Sequence, residues 1–176
     1  MNQFDQFQYA LSLTKVSENI FAFTPDSRYF VGNTPHGGYL MAIMNKALSS
    51  VMPHPSAINS NIYYLDRTEP AEAEIHIEIL RTSRGSTMGQ AKLIQDGKIR
   101  CLFSGLYSDF TYMKGYSGLG TPLPSIMHSV AEEEYKVMSY DILKPGSTPS
   151  FIQQLELSVH PQHAWWDREI ASGDAE

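Results

Sequence analysis

The apolar residues between positions 40 and 52 recur every three or four residues, which is the spacing of one face of an α-helix. The stripe consists of Leu40, Met41, Met44, Ala47, Leu48, Val51 and Met52, with Ala42 and Ile43 beside it. Nearly the whole circumference of the first half is therefore apolar, which is typical of a buried helix. Pro53 and Pro55 end the pattern. Gly37 and Gly38 precede it and leave the first backbone N–H groups open to a carbonyl or an anion.

After the helix the pattern changes to a period of two, which predicts antiparallel strands with one face on a core. Strands are predicted over residues 57–65, 71–79, 87–95 and 99–107. Asp96-Gly97 separates the last two and is the sequence expected for a tight hairpin turn. The pattern thus predicts a meander of four strands that follows one buried helix.

The residues before the helix predict a polar and aromatic lead-in and then a hairpin. Its strands cover residues 11–16 and 20–24, and Ser17-Glu18-Asn19 is the turn between them. Residues 25–35 contain glycine, asparagine and two prolines, so an irregular run is expected up to the helix.

The stretch after the strands is rich in glycine and proline and keeps no period, which predicts a linker. Ser129 and Glu132 have the spacing of a capping box, which predicts one short helix over residues 133–138. Residues 151–159 are again typical of a strand. The expected organisation is a domain over 1–110, a linker over 111–150, and the opening strands of an incomplete second domain, or a tail, over 151–176.

Composition restricts the class of protein. With 176 residues, 42% of them hydrophobic, the chain fits one globular domain with a sizeable core. A formal net charge of -6 argues against binding to nucleic acid or to anionic membranes. No apolar run reaches the length of a membrane span and the first residues do not resemble a signal peptide, so we expect a cytoplasmic protein. Cys101 is the single cysteine and is expected to be a small buried hydrophobe.

Three segments resemble a known family. They are residues 30–42 with the sequence FVGNTPHGGYLMA, residues 64–70 with YLDRTEP, and residues 94–98 with IQDGK. They are similar to the first half of the thioesterase-II-type acyl-CoA thioesterases, and residues 155–176 resemble the start of the second half. The resemblance implies an α+β hotdog fold, in which an antiparallel sheet wraps around one long central hydrophobic helix. It also implies hydrolysis of acyl-CoA to free acid and CoA without a cofactor.

The start of the helix is the expected position of the thioester carbonyl. The N–H groups of Gly37, Gly38 and Tyr39 would point from the positive end of the helix, and one such donor typically contributes ~3 kcal/mol to transition-state stabilisation. The alternative is that the glycines only allow the helix to pack closely on its sheet.

A base that activates water is harder to assign. In the family the catalytic residues belong largely to the second half, so no residue of this chain inherits them. Between Asp26 and Asp66 the sequence contains no Asp or Glu. His36 is the candidate base, since an imidazole ordinarily titrates at ~6.5. The favoured alternative is that His36 hydrogen-bonds a loop.

Other candidates contribute to substrate binding. They are Asn33, Asn59 and Asn61 for a water or the substrate amide, Leu40, Met41 and Met44 for the acyl chain, and Arg81 and Arg84 for the CoA phosphates. Arg81 has the parity of the inward-facing isoleucines, and guanidinium groups bind phosphate through forked hydrogen bonds. Ordinary turn polarity and surface salt bridges are the alternatives. No set of histidines or acids has the spacing of a metal site.

The leading hypothesis is an acyl-CoA thioesterase-like protein in which water attacks the thioester directly. The alternative is a non-catalytic acyl-CoA-binding or assembly half of a double-hotdog protein, and a hydratase on the same fold is a weaker third. An isolated hotdog leaves one edge of its sheet open, so we expect two copies to form a homodimer.

Overall fold

The computed structural model describes residues 2–111, 113–116, 118, 120–121, 136–137, 149–155 and 157–159. The chain divides into two compact units. The first consists of Met1–Lys114 with Pro149–Gln154, and the second of Gly115–Thr148 with Leu155–Glu176.

The first unit contains a six-stranded antiparallel sheet and two α-helices. In chain order its elements are α1 (Gln3–Ala10), β1 (Thr14–Ser17), β2 (Ile20–Phe23), a 3-10 helix (Ser27–Tyr29), β3 (Phe30–Val31), β4 (Thr34–Pro35), α2 (Gly37–Ser49), β5 (Ser56–Tyr64), β6 (Ala73–Thr82), β7 (Ser86–Gln95), β8 (Lys98–Ser108) and a second 3-10 helix (Ser150–Gln154). The large sheet has the order β1-β2-β6-β7-β8-β5, and β3 pairs separately with β4. One buried helix followed by four strands is thus confirmed. The predicted meander of all four is wrong, because β5 pairs with β8 and not with β6, so only β6, β7 and β8 form a meander.

The core lies between α2 and one face of the sheet. From α2 it takes Tyr39, Leu40, Ile43, Met44, Ala47 and Leu48, and from the sheet Ile75, Ile77, Ala91, Leu93, Cys101, Phe103 and Tyr107. A Cβ at Gly105 would lie 3.3 Å from Leu48 Cδ2, so glycine allows the helix to approach β8 closely. Cys101 is fully buried, as expected of a small hydrophobe.

The structure contains the predicted turns, and the predicted ends of the first strands and of the helix α2 differ from the observed ends by a few residues. Asp96 and Gly97 have φ of 50° and 72°, the positive values that a tight primed turn requires. The first hairpin forms, although β1 starts only at Thr14. The helix α2 ends at Ser49, ahead of Pro53. The lead-in is a helix, α1, whose N-terminus is capped by Asn2 through a 2.8 Å hydrogen bond from the Asp5 N–H.

In the second unit, Lys136–Val137 pairs antiparallel with Ser158–Val159. The helix predicted over residues 133–138 is therefore wrong at 136–137, and its other residues lie outside the described residues. The strand predicted over 151–159 is also wrong in its first part, where Ser150–Gln154 forms a 3-10 helix. The histidines at 128, 160 and 163 and both tryptophans lie outside the described residues. No helix in the described part of the chain has the length and apolarity that a membrane crossing needs.

Candidate functional site

The first turn of α2 is capped by its own preceding histidine. His36 is the N-cap, and its Nδ1 accepts a 3.2 Å hydrogen bond from the Gly38 N–H. The expectation that Gly38 offers a free donor is therefore wrong. Among the described residues no acceptor faces the N–H groups of Gly37 and Tyr39, so two donors remain at the positive end of the helix.

The side chain of Tyr39 fixes this helix end in the core. Its ring stacks on Tyr29 with centroids 5.2 Å apart. Its hydroxyl donates to the Ala10 carbonyl oxygen over 2.8 Å and accepts from the Asp26 N–H over 3.1 Å. Burial raises the pKa of Tyr39 to about 12, so the hydroxyl stays neutral. Tyr39 thus ties α2 to the end of α1, and only its backbone N–H is available to a ligand.

A cleft of about 420 Å³ opens beside the first turn of α2. Its lining residues are Thr34, Pro35, Gly37, Leu40, Tyr64, Leu65, Asp66, Arg67 and Thr68. The walls combine apolar side chains with a carboxylate, a guanidinium, hydroxyls and helix backbone. Such a mixture of apolar wall and few polar groups is typical of a small-molecule site.

Gly37 allows β5 to meet the helix at this cleft. The Tyr64 hydroxyl donates a 2.7 Å hydrogen bond to the Gly37 carbonyl oxygen. A Cβ at position 37 would lie 2.8 Å from that hydroxyl oxygen and 3.0 Å from Cζ of the same ring. Burial raises the pKa of Tyr64, so the hydroxyl keeps its proton and remains a donor. Glycine at position 37 leaves room for this close approach, and any larger residue would displace the Tyr64 ring.

Asp66 brings a carboxylate into the cleft. Its Oδ1 accepts from the Arg67 N–H over 2.8 Å, and its Oδ2 accepts from Nη1 of Arg100 over 2.6 Å. The Arg67 N–H, and then the charge of Arg100, hold the pKa of Asp66 below its usual value. Asp66 is therefore ionised at neutral pH, and each oxygen keeps a second lone pair.

The loop that carries Asp66 is held from two sides. Arg100 is buried in β8, and its carbonyl oxygen accepts from the N–H groups of Leu65 and Asp66. Its Nε has no hydrogen-bond partner in the described part of the chain. On the other side, the buried Gln95 side chain accepts from the Glu69 N–H over 2.9 Å and donates to the Ala71 carbonyl oxygen over 2.9 Å. The loop backbone is thus fixed on the sheet.

Two residues expected in the site are placed elsewhere. His36 does not line the cleft; its ring stacks on Phe151, with centroids 4.1 Å apart, and its Nδ1 caps the helix. His36 thus caps its own helix, which is neither the predicted role of base nor the predicted hydrogen bond to a loop. Met44, expected to bind the acyl chain, is fully buried in the core, whereas Leu40 lines the cleft. Met41 is partly buried and packs against the core.

The three asparagines lie outside the cleft lining. Asn59 and Asn61 pair with Leu106 and Ser104 on β8, so both lie on the sheet face opposite α2. There the Asn61 Nδ2 donates to the Asn59 Oδ1 over 2.7 Å. Asn33 is exposed in the turn between β3 and β4, and its carbonyl oxygen accepts from Arg67 over 3.5 Å. The structure therefore does not bring these amides to the helix start.

The two arginines proposed for CoA lie at the wrong end of the sheet. A bulge between Ile79 and Arg81 reverses the alternation, so Arg81 pairs with Met88 and is exposed instead of turning inward. The Arg84 carbonyl oxygen lies 3.3 Å from Nε2 of His54, beyond the C-terminal end of α2. The 13 residues of α2 separate that end from the cleft by about 20 Å.

No role was expected from the sequence for seven of the nine residues that line the cleft: Thr34, Pro35, Tyr64, Leu65, Asp66, Arg67 and Thr68. The available signal was the segment YLDRTEP at residues 64–70, which carried part of the family resemblance. Thr68 is buried, with its Oγ1 3.7 Å from Sγ of Cys101. Within the described residues no group of three or more His, Cys, Asp or Glu is placed to hold a metal ion.

Comparisons with known proteins confirm the resemblance. Residues 25–108 match the family model of the acyl-CoA thioesterase N-terminal domain. A search of curated proteins finds no match.

Solved structures support the same fold. A candidate thioesterase II from Thermobifida fusca has a TM-score of 0.72 and 19% identity, covering 89% of this chain and 55% of that one. A hot dog fold protein of unknown function from Alicyclobacillus acidocaldarius has a TM-score of 0.70 and 16% identity, covering 84% and 52%. An acyl-CoA thioesterase II from Mycobacterium marinum has a TM-score of 0.58 and 16% identity, covering 79% and 54%. The chain has the hotdog fold and spans about half the length of these proteins.

Proposed function

We propose, from the match of residues 25–108 to an acyl-CoA thioesterase N-terminal domain, that this chain binds acyl-CoA and hydrolyses its thioester. The observation that carries the proposal is the cleft at the start of α2, which is lined by Gly37, whose backbone N–H is free within the described part of the chain, and by Asp66, whose carboxylate is ionised. Water adds to the carbonyl carbon, the carbon–sulfur bond breaks, the free acid leaves, and the CoA sulfur takes up the proton.

The proposed carbonyl site is the N–H group of Gly37 together with that of Tyr39. Both belong to the first turn of α2, where the helix dipole favours developing negative charge. Only Gly37 of the two lines the cleft, so it is the primary donor in the proposal. Losing one such donor typically costs ~3 kcal/mol of transition-state stabilisation.

The proposed partner of the attacking water is Asp66. Its carboxylate lines the same cleft as Gly37 and is ionised at neutral pH. The second lone pairs of its oxygens can accept from a water molecule that approaches the carbonyl carbon. Asp66 thereby replaces His36 as the group expected to orient the water.

The remainder of the substrate has two proposed contacts. Leu40 and Leu65 form the apolar part of the cleft and would contact the acyl chain. Arg67 is half-exposed, and its Nε lies 3.7 Å from Oε1 of Glu69. An exposed pair at that distance is weak, so the guanidinium remains able to bind a CoA phosphate.

The second candidate function is binding of acyl-CoA without turnover. It is favoured by the engagement of Asp66, since both of its oxygens already accept hydrogen bonds and its pKa is lowered. A carboxylate so stabilised is a weaker base than a free one. Under this alternative the cleft holds the thioester and the chain acts as a binding or assembly half.

We further propose that two copies pair through β5. This strand is the last in the order of the six-stranded sheet, so one of its edges has no partner strand in that sheet. Tyr63, Tyr64 and Leu65 are more than half exposed at its end. An open sheet edge presents unpaired N–H and C=O groups to which a strand of a second copy can pair. Light scattering at micromolar concentration tests this: a dimer is expected, and a stable monomer would refute it.

The functional test combines turnover and binding on the purified chain. Release of CoA is measured with a panel of acyl-CoAs, and affinity is measured with a non-hydrolysable acyl-CoA analogue. Release together with binding supports the thioesterase. Binding without release supports the second candidate, and the absence of both contradicts each of them.

A further inference from the structure

A short segment distant in sequence is attached next to the start of α2. Pro149–Gln154, here called the strap, belongs to the same compact unit as the sheet and α2. Its Ser150 Oγ lies 3.0 Å from the carbonyl oxygens of both Ser27 and Phe30, to which it can donate. The strap is thereby anchored on the 3-10 helix and the strand that lead into α2. It lies outside residues 25–108, which match the family model.

The strap also contacts the residue that caps α2. The Phe151 ring stacks on the His36 imidazole, with centroids 4.1 Å apart and an angle of 19° between the planes. Phe151 also packs against the hydrophobic core, so its own ring is held in place. A near-parallel stack restricts rotation of the imidazole about its last side-chain bond.

The orientation of this imidazole determines whether the Gly38 backbone donor is engaged. His36 Nδ1 accepts from the Gly38 N–H only when the ring is turned with Nδ1 toward the helix. In that position Gly38 is engaged, whereas the N–H groups of Gly37 and Tyr39 have no acceptor among the described residues. If the ring rotates, the Gly38 donor becomes free and the first turn loses its cap.

We propose that Phe151 is a positioning residue: it fixes the His36 ring so that Nδ1 caps Gly38, and thereby holds the first turn of α2 in the geometry in which the free N–H of Gly37 receives the thioester carbonyl. The effect on catalysis rests on the proposed function, whereas the effect on His36 does not. The strap thus connects a part of the chain outside the matched domain with the geometry of the helix start.

The test compares Phe151→Leu with Phe7→Leu in the full chain. Leucine keeps an apolar side chain but removes the flat ring. Phe7 is a matched control, since it is also a partly buried ring packed on the core, and its aromatic partner is Tyr29, with centroids 5.4 Å apart. Ser150→Ala is the second variant, which loosens the strap without removing the ring.

The first readout is nuclear magnetic resonance of the His36 ring protons and of hydrogen exchange at the Gly38 amide. Phe151→Leu is expected to shift the ring signals and to speed the exchange, Ser150→Ala to do so less, and Phe7→Leu to leave both unchanged. Unchanged His36 and Gly38 signals in a folded Phe151→Leu would overturn the proposal. If that variant does not fold, unchanged signals in Ser150→Ala would overturn it.

The second readout is the kinetics of CoA release. Phe151→Leu is expected to lower kcat by about threefold to tenfold with little change in KM, the size of effect typical of losing one aromatic stack. A shift of the His36 signals without any change in kcat would overturn the positioning role. If the wild-type chain releases no CoA, the thioesterase proposal and the catalytic role both fail, while the magnetic resonance readout still decides whether Phe151 fixes His36.

Discussion

The hydroxyl of Tyr64 donates a 2.7 Å hydrogen bond to the carbonyl oxygen of Gly37, and this contact joins the end of β5 to the first residue of α2. Both residues line the cleft, together with Asp66. The geometry of the candidate site therefore depends on the absence of a side chain at Gly37 and on a tyrosine whose hydroxyl has no role in the proposed chemistry.

Gly37→Ala is expected to distort the cleft while leaving the fold intact. The added methyl would lie 2.8 Å from the Tyr64 hydroxyl oxygen, so the Tyr64 ring has to move. The helix propensity of alanine is more favourable than that of glycine by up to about 1 kcal/mol. This gain offsets part of the stability that the strain removes. We expect affinity for a non-hydrolysable acyl-CoA to fall by about fivefold or more, as measured by calorimetry.

Gly85→Ala is the matched control for that variant. A Cβ at Gly85 would meet no atom within 4 Å, and the residue lies in the turn between β6 and β7. Its affinity for acyl-CoA should equal that of the wild type. Equal affinities for all three proteins would mean that Gly37 serves only helix packing.

Tyr64→Phe is expected to lower the free energy of unfolding by about 0.5–1 kcal/mol, since it removes one hydrogen bond from a partly exposed site. Tyr63→Phe is the control, because Tyr63 pairs with Leu102 and lies on the opposite sheet face. Urea unfolding should show a larger loss of stability in Tyr64→Phe than in Tyr63→Phe. The account of this contact is contradicted if both variants lose the same stability.

His36 provides a test that separates capping from catalysis. Asparagine is a good N-cap residue, whereas replacing a cap with alanine typically costs ~1 kcal/mol. We therefore expect His36→Asn to keep both stability and CoA release, and His36→Ala to lose stability. A loss of kcat by about a hundredfold in His36→Asn would instead identify His36 as a general base.

The pair of Asp26 and Arg28 predicts how stability depends on pH. Hydrogen bonds from the Arg28 side chain, the shortest 2.6 Å, hold the pKa of Asp26 below its usual value. The stabilisation is therefore present above the unfolded-state pKa of about 3.9 and is lost as pH falls through the lowered folded-state pKa. Asp26 also caps the 3-10 helix through the Arg28 N–H, a contact that asparagine retains.

Asp26→Asn is thus expected to lower the free energy of unfolding by about 1–2 kcal/mol at neutral pH. This value lies between those typical of exposed and of buried ion pairs. The difference in unfolding free energy between wild type and variant is expected to shrink in acid. Chemical denaturation across the acidic range measures it. A difference that stays constant with pH would show that the charge of Asp26 does not contribute.

The helix α2 and the strands β6, β7 and β8 followed from periodicity because one face of each is buried. The stripe of α2 and the alternation around Ile75 and Ile77 contact each other in the core, so the requirement for burial is visible in the sequence. The helix α1 was missed because only Ala10 of its residues is buried, which leaves little periodic signal. Arg81 was misplaced because a bulge adds one residue and reverses the parity that follows it.

The site was less predictable because it depends on contacts between distant residues. The sequence indicated the helix start, but Asp66 reaches it only through the pairing of β5 with β8 and the ion pair to Arg100. The stack of Phe151 on His36 joins residues far apart in the chain, and no local pattern predicts such a contact. The carboxylate proposed to orient the water lies in a turn for which the sequence predicted no role.

The most direct test of the central claim is the rate of CoA release by Asp66→Asn, compared with Asp96→Asn and the wild type. Asp96 is a matched control, since it is also a carboxylate near Arg100, at 3.7 Å, but does not line this cleft. The account predicts that Asp66→Asn lowers kcat by about a hundredfold or more with KM little changed, and that Asp96→Asn resembles the wild type. An Asp66→Asn protein that releases CoA at the wild-type rate would contradict the account.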